Sequence, residues 1–124
     1  HYFKTIKECI IYLYFSKMGE AMKEFNEKRV YMTMEISITC KEEIERIIKN
    51  KEISFNEFIN QAIKNNFKEN LNKINIYKRE EGEQVKIRIY KSLYDPISDF
   101  TKKYNISITK IINYCIYEEI KNYI

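Results

Sequence analysis

Gln84, Lys86 and Arg88 alternate with Val85, Ile87 and Ile89 in one short stretch of a 124-residue chain. At a period of two, the apolar set falls on one face of a strand and the three long polar side chains on the other. Arg and Lys are charged hydrogen-bond donors, and Gln both donates and accepts. An earlier stretch alternates in the same way, with Thr33, Glu35 and Ser37 opposite Met32, Met34, Ile36 and Ile38. Glu35, when ionised, only accepts. Taken alone, a Lys and an Arg on an alternating strand most often form just a solvated face.

A second kind of chemistry sits at two segment starts, Ser54-Phe55-Asn56 and Ser107-Ile108-Thr109-Lys110. Each opens an apolar-periodic helix, whose first N–H groups lack an intrahelical partner. Lys110 stands near the second start and Glu57 near the first. A Ser cap is also ordinary in any helix. Lys91, Lys102 and Lys103 are further basic candidates.

Catalytic constellations are not evident. His1 is the one histidine, and the acid pairs Glu42-Glu43, Glu80-Glu81 and Glu118-Glu119 are adjacent, so their members point apart on a helix. Two Gly and one Pro leave no Gly-rich phosphate loop. Cys9, Cys40 and Cys115 are odd in number and lack metal-ligand spacing, which fits a reducing, cytoplasmic setting. No enzyme activity, cofactor, metal or small-molecule substrate is expected. The longest apolar run, Cys9–Phe15, is too short to span a bilayer, so no membrane partner is expected. The formal net charge of +4 favours an anionic partner. That charge is uneven: residues 33–67 carry five basic and six acidic side chains, whereas Gln84–Lys91 has Lys86, Arg88 and Lys91 and no acid.

The elements that must position these groups are legible from period and punctuation. Residues 3–28 read as helical, with Gly19 as a possible break. Residues 32–38 form a strand, and Thr39 with Glu42 has capping-box spacing before a helix with Ile44, Ile47 and Ile48 on one stripe. Ser54 with Glu57 starts the next helix, whose apolar face is Phe58, Ile59, Ala62, Ile63 and Phe67. The order then recurs. The strand Val85–Ile89 leads into a helix opened by Ser92 with Asp95, or by Asp95 with Pro96 as its first residue. The last helix follows Ile106-Ser107 and carries Ile111, Ile112, Cys115, Ile116 and Ile120. The last helices of the copies align at an offset of 53 residues and the strands at an offset near 51, which makes the first helix of copy one about two residues shorter. The chain divides into a helical extension (1–30), a first unit (31–67), a linker (68–83) and a second unit (84–124). In the linker, Ile74 and Ile76 alternate, which leaves open a hairpin with Val85–Ile89, although a partly ordered linker is preferred.

The repeated unit resembles the ribbon-helix-helix DNA-binding family. The resemblance rests on Met34-Glu35-Ile36-Ser37-Ile38-Thr39 with Ile53-Ser54-Phe55-Asn56-Glu57-Phe58-Ile59, and on Val85-Lys86-Ile87-Arg88-Ile89 with Ile106-Ser107-Ile108-Thr109-Lys110-Ile111-Ile112. It covers about 70 of the 124 residues. The family works as homodimers whose strands pair antiparallel and enter the major groove, so the tandem here resembles that pair fused in one chain. Such fusions occur among transcription regulators of archaeal viruses. The resemblance implies a mainly α fold with a short two-stranded antiparallel ribbon, an intramolecular pseudo-dimer plus N-terminal helices, and a repressor of double-stranded DNA. It also implies base reading by Gln84, Lys86 and Arg88 and by Thr33, Glu35 and Ser37: Arg or Lys donates to guanine O6 and N7, Gln pairs with adenine, and Glu35 accepts from cytosine N4 while being repelled by phosphates. It implies phosphate binding at Ser54-Phe55-Asn56 and Ser107-Ile108-Thr109, where helix-start N–H groups attract anions; Lys110 favours that role and Glu57 opposes it unless its cap ties it up. Further homodimers or higher oligomers are also compatible with it. Because the strands differ, either the DNA site is asymmetric or the second strand makes the strong contacts. The rivals are an antitoxin-like protein-interaction module using Phe3–Phe25 and a DNA-coating protein without sequence preference.

Overall fold

A computed structural model describes residues 28–78 and 80–124, so the helices expected over residues 3–28 lie almost wholly outside the described residues. The elements are β1 (Arg29–Ser37), α1 (Ile38–Lys51), α2 (Phe55–Asn66), α3 (Leu71–Ile76), β2 (Gly82–Tyr90), α4 (Lys91–Tyr104) and α5 (Ile108–Ile120), followed by a 3₁₀ turn at Lys121–Tyr123. The domain is mainly α-helical with one two-stranded antiparallel ribbon, a ribbon-helix-helix-like shape in general terms.

β1 pairs with β2 over its whole length, with Arg29 opposite Tyr90, Thr33 opposite Lys86 and Ser37 opposite Gly82. The alternative hairpin does not form: Leu71–Ile76 is a short helix, α3, and its Ile74 is buried in the core. A two-stranded ribbon is marginal by itself. Here one face is sealed, because Met34, Ile36, Ile87 and Ile89 are buried against Ile44, Phe58, Ile59, Ile111 and Ile112 in one continuous cluster. Removing that apolar area from water is what holds the ribbon.

The repeat is stricter than the alternation suggests. Every element of copy one recurs 53 residues later: Arg29–Ser37 at Gly82–Tyr90, Ile38–Lys51 at Lys91–Tyr104, and Ser54 at Ser107. The strand offset near 51 is therefore corrected to 53, and α1 and α4 are both 14 residues long. The reason is physical. A slip of two residues keeps the same side chains on the apolar face, so a period-two pattern fixes the face and leaves the register free.

The expected caps of α1 and α4 are also corrected. The helices begin directly at Ile38 and Lys91, without a side-chain cap. Their first N–H groups are satisfied by the ribbon instead: Ile38 donates to the Glu81 carbonyl at 3.1 Å and Lys91 to the Lys28 carbonyl at 2.9 Å. Thr39 donates its hydroxyl proton to Glu80. Asp95 accepts from Lys91, and Pro96 lies inside α4 rather than at its first position. Both helices end in a left-handed residue, Glu52 (φ 55°) and Asn105 (φ 53°).

Candidate nucleic-acid interface

The open face of the ribbon carries three cross-strand pairs: Tyr31 with Arg88, Thr33 with Lys86, and Glu35 with Gln84. Tyr31, Thr33, Gln84, Lys86 and Arg88 are exposed and Glu35 is half-buried. The backbone of Arg88 points away from β1, towards Asn56 and Asn60. The open-face pairs are therefore of the non-hydrogen-bonded kind, in which opposite side chains stand closest, with Cα atoms roughly 4.5 Å apart.

Ser37 differs from its expected place. It is 2 % exposed at the strand end, and its N–H donates to Asn113. In the true register its counterpart is Tyr90, and the open-face residue equivalent to Gln84 is Tyr31, which is 73 % exposed. The alternation does continue one step before residue 32, through Val30 and Tyr31, and that was the available signal for Tyr31.

The ribbon's two outer edges are closed by a pair of asparagines. Asn60 of α2 donates to the Arg88 carbonyl at 2.8 Å and accepts from the Tyr90 N–H at 2.9 Å. Asn113 of α5 donates to the Glu35 carbonyl at 2.8 Å and accepts from the Ser37 N–H at 3.1 Å. Each also donates back one helical turn, to Asn56 and Thr109 carbonyls. The second helix of each copy thus pins the other copy's strand, satisfying edge groups that would otherwise be open to pairing. Their signal in the sequence is an Asn at one position in both apolar helix faces.

Each ribbon end abuts the start of a second helix. Ser54 accepts from the Glu57 N–H and Ser107 from the Lys110 N–H, both at 3.1 Å, so both Ser caps form. Helix geometry leaves the preceding N–H groups of Phe55-Asn56 and Ile108-Thr109 without an intrahelical partner. Phe55 and Ile108 turn their side chains against the core. At one end a cleft of about 300 Å³ is lined by Ser54, Asn56, Glu57, Arg29 and Arg88. At the other, about 790 Å³ is lined by Ser107, Thr109, Lys110, Glu35, Gln84 and Lys78. Arg29 lies over the Tyr90 ring at 5.2 Å, and Lys110 donates to the Asn75 carbonyl at 3.0 Å. Lys91 pairs with Asp95 at 2.8 Å, and that hydrogen bond raises its pKa, so it stays charged on the ribbon's flank.

Cys40 and Cys115 are buried free thiols. Burial pushes the Cys115 thiol up to about 12, which makes it unreactive at neutral pH. Among the described residues no group of three or more His, Cys, Asp or Glu is placed to hold a metal, and no helix is long and apolar enough to cross a membrane.

Comparison with protein-family models, curated proteins and solved structures finds no match. The geometry is compatible with a small nucleic-acid-binding regulatory module in general terms.

Proposed function

We propose that this chain is a sequence-specific regulator of transcription that binds double-stranded DNA through its ribbon and represses by occupying a promoter. Its two strand-helix-helix copies act as a fused ribbon-helix-helix pseudo-dimer. The observation that carries this reading is the row of Gln84, Lys86 and Arg88 on the open face of a ribbon whose other face is sealed and whose edges are held by Asn60 and Asn113. A two-stranded ribbon fits the B-DNA major groove, where base edges are distinguishable. A rigid ribbon delivers its side chains there with little ordering cost. The helix starts at Ser54 and Ser107 flank the ribbon, where phosphates of a bound duplex would lie.

Selection of binding sites from random duplexes, run for the native chain and for Arg88→Ala, tests the reading. The variant should lose preference at one or two base pairs, at about 1–3 kcal/mol. Its thermal stability should stay within about 0.5 kcal/mol, because the side chain is exposed. Unchanged preference and affinity would remove Arg88 from the reading face. Equal affinity of the native chain for every duplex would favour a coating protein instead.

A further inference from the structure

The register assigns side chains to halves of the ribbon. Thr33 and Lys86 are counterparts in the 53-residue repeat and also stand opposite each other, so the axis relating the copies passes between them. Tyr31 and Arg88 lie on one side of that axis, Glu35 and Gln84 on the other. The counterparts across the axis are Tyr31 with Gln84 and Glu35 with Arg88. One half thus presents a phenol and a cation, the other a carboxylate and an amide.

We propose that the chain docks on duplex DNA in a single direction, with Tyr31 and Arg88 over a guanine-bearing half-site and Glu35 and Gln84 over a half-site of adenine and cytosine. This rests on the DNA-binding reading above. Arg88 donates to guanine O6 and N7, Gln84 matches adenine N6 and N7, and Glu35 accepts from cytosine N4. Lys86, beside the axis and opposite Thr33, contacts the centre of the site in either direction and contributes least to the polarity.

The ribbon ends are unequal in the same sense. Among the described residues, the linker runs past the Glu35 end, where Tyr77 and Lys78 wall the wider cleft. Lys78 there sets a cation beside the strand end that carries a carboxylate, so the phosphates flanking that half are still met by positive charge. At the Arg88 end, Arg29 and Arg88 both line the cleft, against one acid, Glu57.

The test is site selection from random duplexes with four proteins: the native chain, Tyr31→Gln/Thr33→Lys/Glu35→Arg, Gln84→Ala and Arg88→Ala. The triple change copies the open face of β2 onto β1, at exposed or half-exposed positions. The native chain should select a non-palindromic site, and replacing either half with the inverse of the other should weaken binding about tenfold. The triple variant, its fold checked by circular dichroism, should select a palindrome. Gln84→Ala should lose preference in one half only, the half opposite to that affected by Arg88→Ala, and this holds whether or not the triple variant folds. A palindromic native site, or losses in the same half for both single variants, overturns the polarity while leaving DNA binding intact. A native chain that retains no duplex sinks the DNA reading and the polarity together.

Discussion

Asn60 and Asn113 make the same hydrogen bonds 53 residues apart, yet the strand residues whose backbones they hold, Arg88 and Glu35, carry opposite charges. The asparagines bind carbonyls and N–H groups, and those are identical whatever side chain points away from them. The buried half of each copy is therefore constrained towards its twin, while the open face is free to diverge. A second contrast refines this. Asn66 and Glu119 are counterparts that meet each other, Asn66 donating to Glu119 at 2.8 Å with Asn65 beside it. Two copies of Glu119 would set carboxylate against carboxylate in a buried place. Where an element meets its own counterpart, one chain carrying both copies can install two complementary groups, which two identical chains cannot.

The largest expected effect breaks the shared part. Asn113→Ala strands the Ser37 N–H and the Glu35 carbonyl in a fully buried site and should cost about 2–4 kcal/mol in urea unfolding. Asn60→Ala should cost less, about 1–3 kcal/mol, because Asn60 retains some exposure and water can replace its bonds. Equal and small losses would show that the edges do not depend on these amides.

Gly82 and Arg29 are the next pair. A Cβ at Gly82 would sit 2.8 Å from the Ile36 carbonyl oxygen, so Gly82→Ala should destabilise by about 1–3 kcal/mol and shift the amide resonances of β1 at that end. Its counterpart change, Arg29→Ala, removes the contact over Tyr90 and should cost no more than about 0.5–1 kcal/mol.

Cys115 and Ala62 occupy one core position. The thiol ionises near 9.0 when unfolded and only at about 12 when folded, so stability is unaffected below pH 9. Above it, the unfolded state releases the proton first, and stability falls by about 1.4 kcal/mol per pH unit. Unfolding measured between pH 8 and 10.5 should lose this component in Cys115→Ala; an identical slope would assign the alkaline loss elsewhere.

The smallest effect concerns helix ends. Glu52 and Asn105 share a left-handed conformation that Asn tolerates better than Glu. Glu52→Asn should raise stability by about 0.5–1 kcal/mol, and Asn105→Glu should lower it by a similar amount, both read from urea midpoints.

Much of the fold was legible because local rules act within one element. The Ser54 and Ser107 caps follow from a hydroxyl followed three residues on by the N–H it accepts. The apolar stripes of α2 and α5 match the buried positions Phe58, Ile59, Ile63, Ile111, Ile112 and Ile116. The starts of α1 and α4 were not legible, since their first N–H groups are met by carbonyls at Glu81 and Lys28, far away in sequence.

The sequence by itself determined that two strand-helix-helix units exist, which strand faces are apolar, and that the polar faces are chemically unequal. Side-chain period and charge are local properties, and they survive any packing of the chain. Tertiary structure alone decided the register, and with it that Ser37 leaves the open face, that Tyr31 joins it, and that Thr33 and Lys86 share the axis. A strand slipped by two residues presents the same alternation, so only the partner strand and the asparagines holding its edges can tell one register from the next.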